Sequence, residues 1–432
     1  MGTPFLDAFQ QLGPAALMVL GLVGLLLVYF MLTNRVAGLF FVLVLGAAFV
    51  GSAVSGIDSF ATIARWIATL LLFLSVVFMD RLVIPQGPLL FLGYASFGFI
   101  GLFFANSDSW QIQRGVLLIA VAAAIPLALS NRPWRTYMQA LSGVIVIATI
   151  FAAHNFVSLP AHLGEASRLS GYAKAAPWFA MVLGGLLPFS LWGFWNAPRQ
   201  WLRLLSGAGF LMGAITLGFS AQRAGTIAGL IGIAPLLFLA LKGRRTVVWT
   251  VLLVVMVSLI GMIYFRESSS QRVAFLLSRY NRTEGLSNRE AIWDLAISEI
   301  GKSPLIGRGT GAAETVFSSS FHNTWLEVWY NAGLPGLVLF IAAQFYFFYR
   351  IYVLSRTFRN PAARPVLALV LGYMLGFFAL CTVESVGAGA SNINIVLYIF
   401  LGVLISQKNL LGSLGAMTET PAVGPDRLPE PS

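Results

Sequence analysis

Charge is what this sequence has least of. Only 10% of its 432 residues are Asp, Glu, Lys or Arg, against about 25% in an ordinary soluble chain, which excludes a water-covered globular surface over most of its length. It has one cysteine. Cys381 lies inside an apolar block, so no intrachain disulfide can form and the residue reads as a small buried hydrophobe. Of its three histidines, none joins a Cys or carboxylate group at metal-ligand spacing, so the sequence shows no sign of a metal site. No serine stands in a nucleophile elbow, and no glycine-rich loop is placed to cradle a nucleotide. Ionisable residues are nearly absent from the interiors of the apolar blocks, which argues against a proton- or ion-coupled transporter. No internal repeat is visible.

What is present is hydrophobic: 58% of the chain, in blocks of about 18 to 22 residues separated by short polar connectors. Each block, as helix, crosses roughly 30 Å of hydrocarbon and satisfies its own backbone there. The expected fold is an all-α polytopic integral membrane protein. The blocks fall at 14–32, 36–54, 61–79, 87–105, 115–130, 139–157, 177–196, 202–219, 224–241, 246–265, 335–352, 365–385 and 392–407. That gives thirteen spans, or twelve if closely spaced early ones merge. The first block follows a neutral-to-acidic start with Asp7 and lacks a small-residue cleavage pattern, so it reads as a retained helix. The organisation is then a membrane domain over 1–265, one large loop over 266–334 that contains short helices, C-terminal spans over 335–407, and a proline-rich polar tail over 408–432 that reads as disordered.

A net charge of +11 would suggest nucleic acid in a soluble protein, but here the placement of the charges accounts for most of it. Arg35, Arg81, Arg132, Arg135, Arg199, Arg203, Lys242, Arg244, Arg245, Arg350 to Arg364 and Lys408 occupy alternate, mostly short connectors, the side that faces the cytoplasm. The opposite connectors are 55–60, 106–114, 158–176, 220–223, 266–334 and 386–391. Trp66, Trp110, Trp178, Trp325 and Trp329 fall near span ends, where indole anchors at the interface. Among the outer connectors only 266–334 is long and rich in reactive side chains. In 266–289 five arginines, Arg266, Arg272, Arg279, Arg282 and Arg289, face Glu267 and Glu284. Topology does not account for an arginine cluster on the side where positive charge is depleted.

Three residues in these outer connectors stand out. The stretch 287–304, SNREAIWDLAISEIGKSP, reads as a helix with Ser287 and Glu290 as capping box, Ile292, Leu295, Ala296 and Ile300 as apolar face, and Gly301 with Pro304 as its end. Arg289 stands in its first turn, where a cation opposes the helix dipole. Either it reaches to lipid headgroups or it shares an anion with the helix-start amides. Arg223, in GFSAQRAGTIAG, lies in a short break between two spans; it either snorkels or offers a fixed cation at membrane depth for a lipid-borne phosphate. His322 precedes Asn323, a good N-cap for a short helix that carries Trp325, Val328 and Trp329; Gly333 stops that helix and Pro335 opens the next span. A helix start disfavours imidazolium, so a neutral ring suited to a general base is one reading and a structural interfacial histidine is the other.

The pattern His322-Asn323, nine residues, Gly333, two residues, Gly336 resembles the signature of the O-antigen ligase and O-antigen polymerase superfamily. The stretch NREAIWDLAISEIGKSPLIGRGTG resembles that family's arginine-led helix and P-L-x-G-x-G turn, and SAQRAG resembles its Ser-x-x-Arg segment. The matches run in the family's order over about 215–350.

The resemblance implies a multi-pass protein of the bacterial inner membrane that transfers glycan from undecaprenyl diphosphate on the periplasmic side, with inversion and without metal or other cofactor. His322 would deprotonate the acceptor hydroxyl. Arg223 and Arg289 would hold the diphosphate and stabilise it as it leaves, while Arg279, Arg282 and Asn323 are further candidates for substrate contact. A ligase that uses lipid A-core as acceptor is the favoured member. The alternatives are an O-antigen or exopolysaccharide polymerase, a protein glycosyltransferase and, outside the family, a lipid-linked glycan flippase or transporter. Membrane lipids are the other expected partners, and nucleic acid is not one.

Overall fold

The computed structural model describes residues 29, 32–76, 84–105, 107–159, 176–220, 222–241, 289–317, 320–357, 363–386 and 392–407. Among the described residues the chain is helical and has no β-strand. The helices are α1 (Arg35–Phe49), α2 (Ser55–Leu74), α3 (Gln86–Gly101), α4 (Ser109–Leu129), α5 (Trp134–Phe156), α6 (Ala176–Asn196) and α7 (Gln200–Phe219). They continue with α8 (Arg223–Leu241), α9 (Arg289–Gly301), α10 (Ala312–Phe317), α11 (Thr324–Thr357), α12 (Arg364–Val383) and α13 (Ile393–Ser406).

Seven of the described helices are long and apolar enough to cross a membrane. Shorter apolar helices, α1, α8 and α13 among them, pack beside these. The chain is an all-α polytopic membrane protein. The expected block at 246–265, most of 14–32 and the tail 408–432 lie outside the described residues. Three helices start well before the expected blocks: α2 at Ser55 rather than 61, α4 at Ser109 rather than 115 and α5 at Trp134 rather than 139. At α2 the Asp58 carboxylate accepts the Gly51 amide at 2.6 Å and closes the turn before it, and at α4 Asp108 forms a capping box with Gln111.

Close backbone approach sets the register of the site-bearing helices. A Cβ at Gly225 in α8 would meet the Ala180 carbonyl of α6 at 2.4 Å, and one at Gly372 in α12 would meet the Gly232 carbonyl of α8 at 2.0 Å. Small residues allow such contact where lipid offers no competing hydrophobic drive. Gly372 lies beside Gly232 and Gly376 beside Ala228, so α8 and α12 run antiparallel. Arg223 at the start of α8 and Val383 at the end of α12 are therefore at the same end of the bundle.

The break expected at Gly333 is present. Gly333 has φ 68° and ψ −178°, a conformation essentially restricted to glycine, and it divides α11 into a short segment, 324–332, and the apolar span that follows. The break leaves the last carbonyls of the short segment without helical partners, and the loop after α9 supplies them. Arg308 N–H donates to the Tyr330 carbonyl at 2.8 Å and Gly309 N–H to that of Asn331 at 2.9 Å. In return Leu334 N–H and the Trp329 indole each donate to the Pro304 carbonyl at 3.0 Å. Trp329, expected as a lipid anchor, thus uses its N–H inside the protein.

Gly333→Ala places a Cβ 2.3 Å from the Leu305 carbonyl in a backbone conformation that alanine avoids. It is expected to lower stability by about 1–3 kcal/mol, read as an earlier thermal unfolding midpoint in detergent. An unchanged midpoint would contradict the role given to the break.

Candidate active site

The site is centred on Glu384. α12 ends at Val383, and Glu384 follows in extended conformation at φ −148° and ψ 158°. Its side chain is 4% exposed. Oε1 accepts from Arg289 Nη2 at 2.8 Å, and Oε2 faces His322 Nδ1 at 2.9 Å. Arg289 Nη1 donates to the Val383 carbonyl. One buried carboxylate thus joins the arginine at the start of α9 to the histidine before α11.

Each partner arrives for a local reason. Arg289 is the first residue of α9, where its charge opposes the dipole. Its guanidinium reaches the C-terminal end of α12 instead, where exposed carbonyls favour a cation. α9 docks through a stripe spaced by four: Ala296 and Ile300 are buried with Ala312, Phe321 and Tyr330, and Ile292 packs against them. Leu295, expected on that face, is 48% exposed, because it lies about 100° around the helix from Ala296. Ser287 of the expected capping box lies outside the described residues.

His322 has φ 52°, a left-handed backbone uncommon for a residue with a β-carbon. Beside it Asn323 is the expected cap: its Oδ1 accepts Leu326 N–H at 3.1 Å. The Asn323 amide nitrogen lies 3.4 Å from the Thr382 carbonyl, so this side chain, a candidate for substrate contact, is engaged within the fold. Thr324 laces the two segments together, donating to the Glu384 carbonyl at 2.7 Å and accepting Val386 N–H at 3.0 Å.

Of the expected residues, the structure brings Arg289 and His322 together and places Arg223, exposed, at the same end of the bundle. Arg279 and Arg282 lie outside the described residues. Arg289 is not a free cation, since both its terminal nitrogens are engaged. Sequence reasoning missed Glu384, which fell one residue inside the expected span 365–385 and was absorbed into it. The available signal was an acid at the end of an apolar block, which calls for a partner.

An ionised carboxylate only accepts hydrogen bonds, so a neutral His322 ring carries its proton on Nδ1 and keeps the Nε2 lone pair free. The ring is 31% exposed, which suits a base that must meet a substrate. The site thus belongs to a polytopic helical membrane protein that gathers an arginine, a carboxylate and a histidine at one end of its bundle. A family model described as O-antigen ligase matches residues 208–341. That match supports membership in the O-antigen ligase and polymerase superfamily, whose members are glycosyltransferases of that type. It spans Arg223, Arg289, His322, Gly333 and Gly336 and stops before Glu384. No curated protein matches the chain.

Glu384→Ala removes the bridge while leaving α12 intact. Amide hydrogen exchange in α9 and residues 320–326 should rise about tenfold, the loss expected for a charge-assisted contact in a partly exposed site, with α3 to α5 unaffected. Unchanged exchange would show that the bridge does not hold the loop to the membrane domain.

Proposed function

We propose that this protein transfers an O-antigen glycan from undecaprenyl diphosphate to lipid A-core on the periplasmic face of the bacterial inner membrane. The observation that carries the reading is the His322–Glu384 contact, which leaves Nε2 as a lone-pair base beside an arginine. The acceptor hydroxyl gives its proton to Nε2 as its oxygen attacks the anomeric carbon. The bond from that carbon to the diphosphate oxygen breaks, its electron pair leaves with the diphosphate, and configuration inverts. No metal enters this scheme. Charge on the leaving group is met by guanidinium donors, which are permanently charged and match phosphate oxygens two at a time.

The arginines divide the work. Arg289 fixes Glu384 and through it the histidine. Arg223, exposed at the same end of the bundle, supplies positive charge for the diphosphate; Arg279 and Arg282 are candidates for further contact with it. Asn323 belongs to the helix cap. A polymerase would use the same donor chemistry with a glycan acceptor, so the acceptor separates the two enzymes.

The test is transfer by purified protein from defined undecaprenyl-diphosphate glycan, with lipid A-core and free lipid-linked glycan offered in parallel. Product on lipid A-core supports the ligase, while product only on glycan replaces it by the polymerase. His322→Ala should lower the rate by about 10²–10⁴-fold in a correctly inserted protein. Arg223→Lys should lower it by on the order of tenfold, since a lysine cannot pair bidentately. Full activity in either variant would remove that residue from the assignment.

A further inference from the structure

The loop between α9 and α10 turns two large apolar side chains outward. Leu305 is 64% exposed and Ile306 48%, and no charged residue stands between Lys302 and Arg308. Single apolar residues are common on a surface, but a pair carried by a fixed turn and joined to a larger apolar face marks a contact surface. This turn is fixed on both sides. The Ser303 hydroxyl donates to the Ile306 carbonyl at 2.8 Å, and the Pro304 carbonyl takes both Leu334 N–H and the Trp329 indole. A Cβ at Gly307 would lie 2.1 Å from the Asn331 carbonyl.

These contacts set the level of the turn. Pro304 is bonded to the first residue of the apolar span after Gly333, and Leu305 lies against Gly333 itself. On that span Leu334, Val338 and Phe345 are exposed, four and seven residues apart, the spacing of one lipid-facing helical stripe. Leu305 and Ile306 stand beside its upper end. A second turn reaches the same level: a Cβ at Gly101, the last residue of α3, would lie 2.8 Å from the Gly307 carbonyl, and Phe103 and Phe104 just beyond it are exposed.

The turn that carries His322 is not lifted away from this level. If the short segment of α11 continued the line of its span, Trp325 would stand about 22 Å along the axis from Phe340. The two rings are 5.5 Å apart, and Trp325 meets Phe378 of α12 at 5.3 Å. The segment therefore lies back against the bundle and keeps His322 beside the end of α12.

We infer that the turn 303–306, with Phe103 and Phe104, is immersed at the boundary between headgroups and acyl chains. Bilayer lipid, not water, then covers this edge of the bundle. Lipid is the occupant because the patch is continuous with the lipid-facing stripe of α11. The backbone of the turn suits that depth, where irregular segments need internal partners: Pro304 has no N–H, and the Pro304 and Ile306 carbonyls are bonded within the protein. Lys302 and Arg308 flank the turn as cations for lipid phosphates. Immersion stands independently of the glycan-transfer reading, and its readout is depth rather than activity.

A nitroxide attached to Ile306→Cys measures that depth in the full protein, reconstituted in vesicles of phosphatidylethanolamine and phosphatidylglycerol. Cys381 is buried and stays unlabelled. Labels at Phe345→Cys, on the span, and at Ser298→Cys, an exposed polar position of α9, give the lipid and water references. The label at Ile306→Cys should collide more with oxygen than with a water-soluble nickel chelate, with the logarithm of the ratio positive as at Phe345→Cys and opposite in sign to Ser298→Cys. Phe104→Cys should behave like Ile306→Cys. A ratio at Ile306→Cys matching that of Ser298→Cys would overturn the inference. So would a label shielded from both reagents with dipolar broadening, which would put a second copy of the chain on the patch. If Ile306→Cys does not insert correctly, Leu305→Cys decides by the same sign.

Discussion

A single carboxylate buried at the end of a membrane helix constrains most of this architecture. At 4% exposure, Glu384 retains its charge at tolerable cost only when both oxygens have partners. One oxygen takes Arg289 from α9 and the other takes His322 from the start of α11. Three elements far apart in sequence must therefore reach one level of the bundle. The antiparallel packing of α8 on α12 fixes where that level lies, because Gly372 and Gly376 admit only one depth of contact with α8. The turn at Gly333 allows the short segment of α11 to leave the line of the span behind it, and the loop at 304–309 satisfies the carbonyls that the turn exposes.

This arrangement gives the charges separate tasks. Arg289 and Glu384 form a nearly neutral pair, so the arginine's service to catalysis on the proposed reading is to hold the carboxylate that orients the base. The positive charge a diphosphate needs then falls to cations outside the pair, with Arg223 placed at the same end of the bundle. Within the Arg289–Glu384–His322 group the histidine is the most exposed member, as a group that meets substrate must be.

Hydropathy was enough for the fold class, because a membrane demands long apolar helices whatever their tertiary partners. Local chemistry was enough for the Asn323 cap and the Gly333 turn, since both follow from backbone groups a few residues away. His322 and Arg289 were visible as residues out of place: a polar ring beside an apolar span, and a cation at the wrong end of a helix dipole. Their shared partner was not visible, because the contact between residues 289, 322 and 384 is tertiary and hydropathy had assigned Glu384 to a span. Leu295 shows the same limit on a smaller scale. Helical spacing allowed it on the buried face, and the narrow stripe through Ile292, Ala296 and Ile300 left it out.

The central claim is that Arg289, Glu384 and His322 act as one unit, and a double-mutant cycle tests it most directly. Glycan-transfer rates would be measured for Arg289→Lys, Glu384→Gln and the double variant in the same membrane preparation. A unit predicts that the double variant loses little more than the worse single variant, a coupling of at least about 1 kcal/mol. Losses that simply multiply would show that the two residues serve independently and would contradict the account.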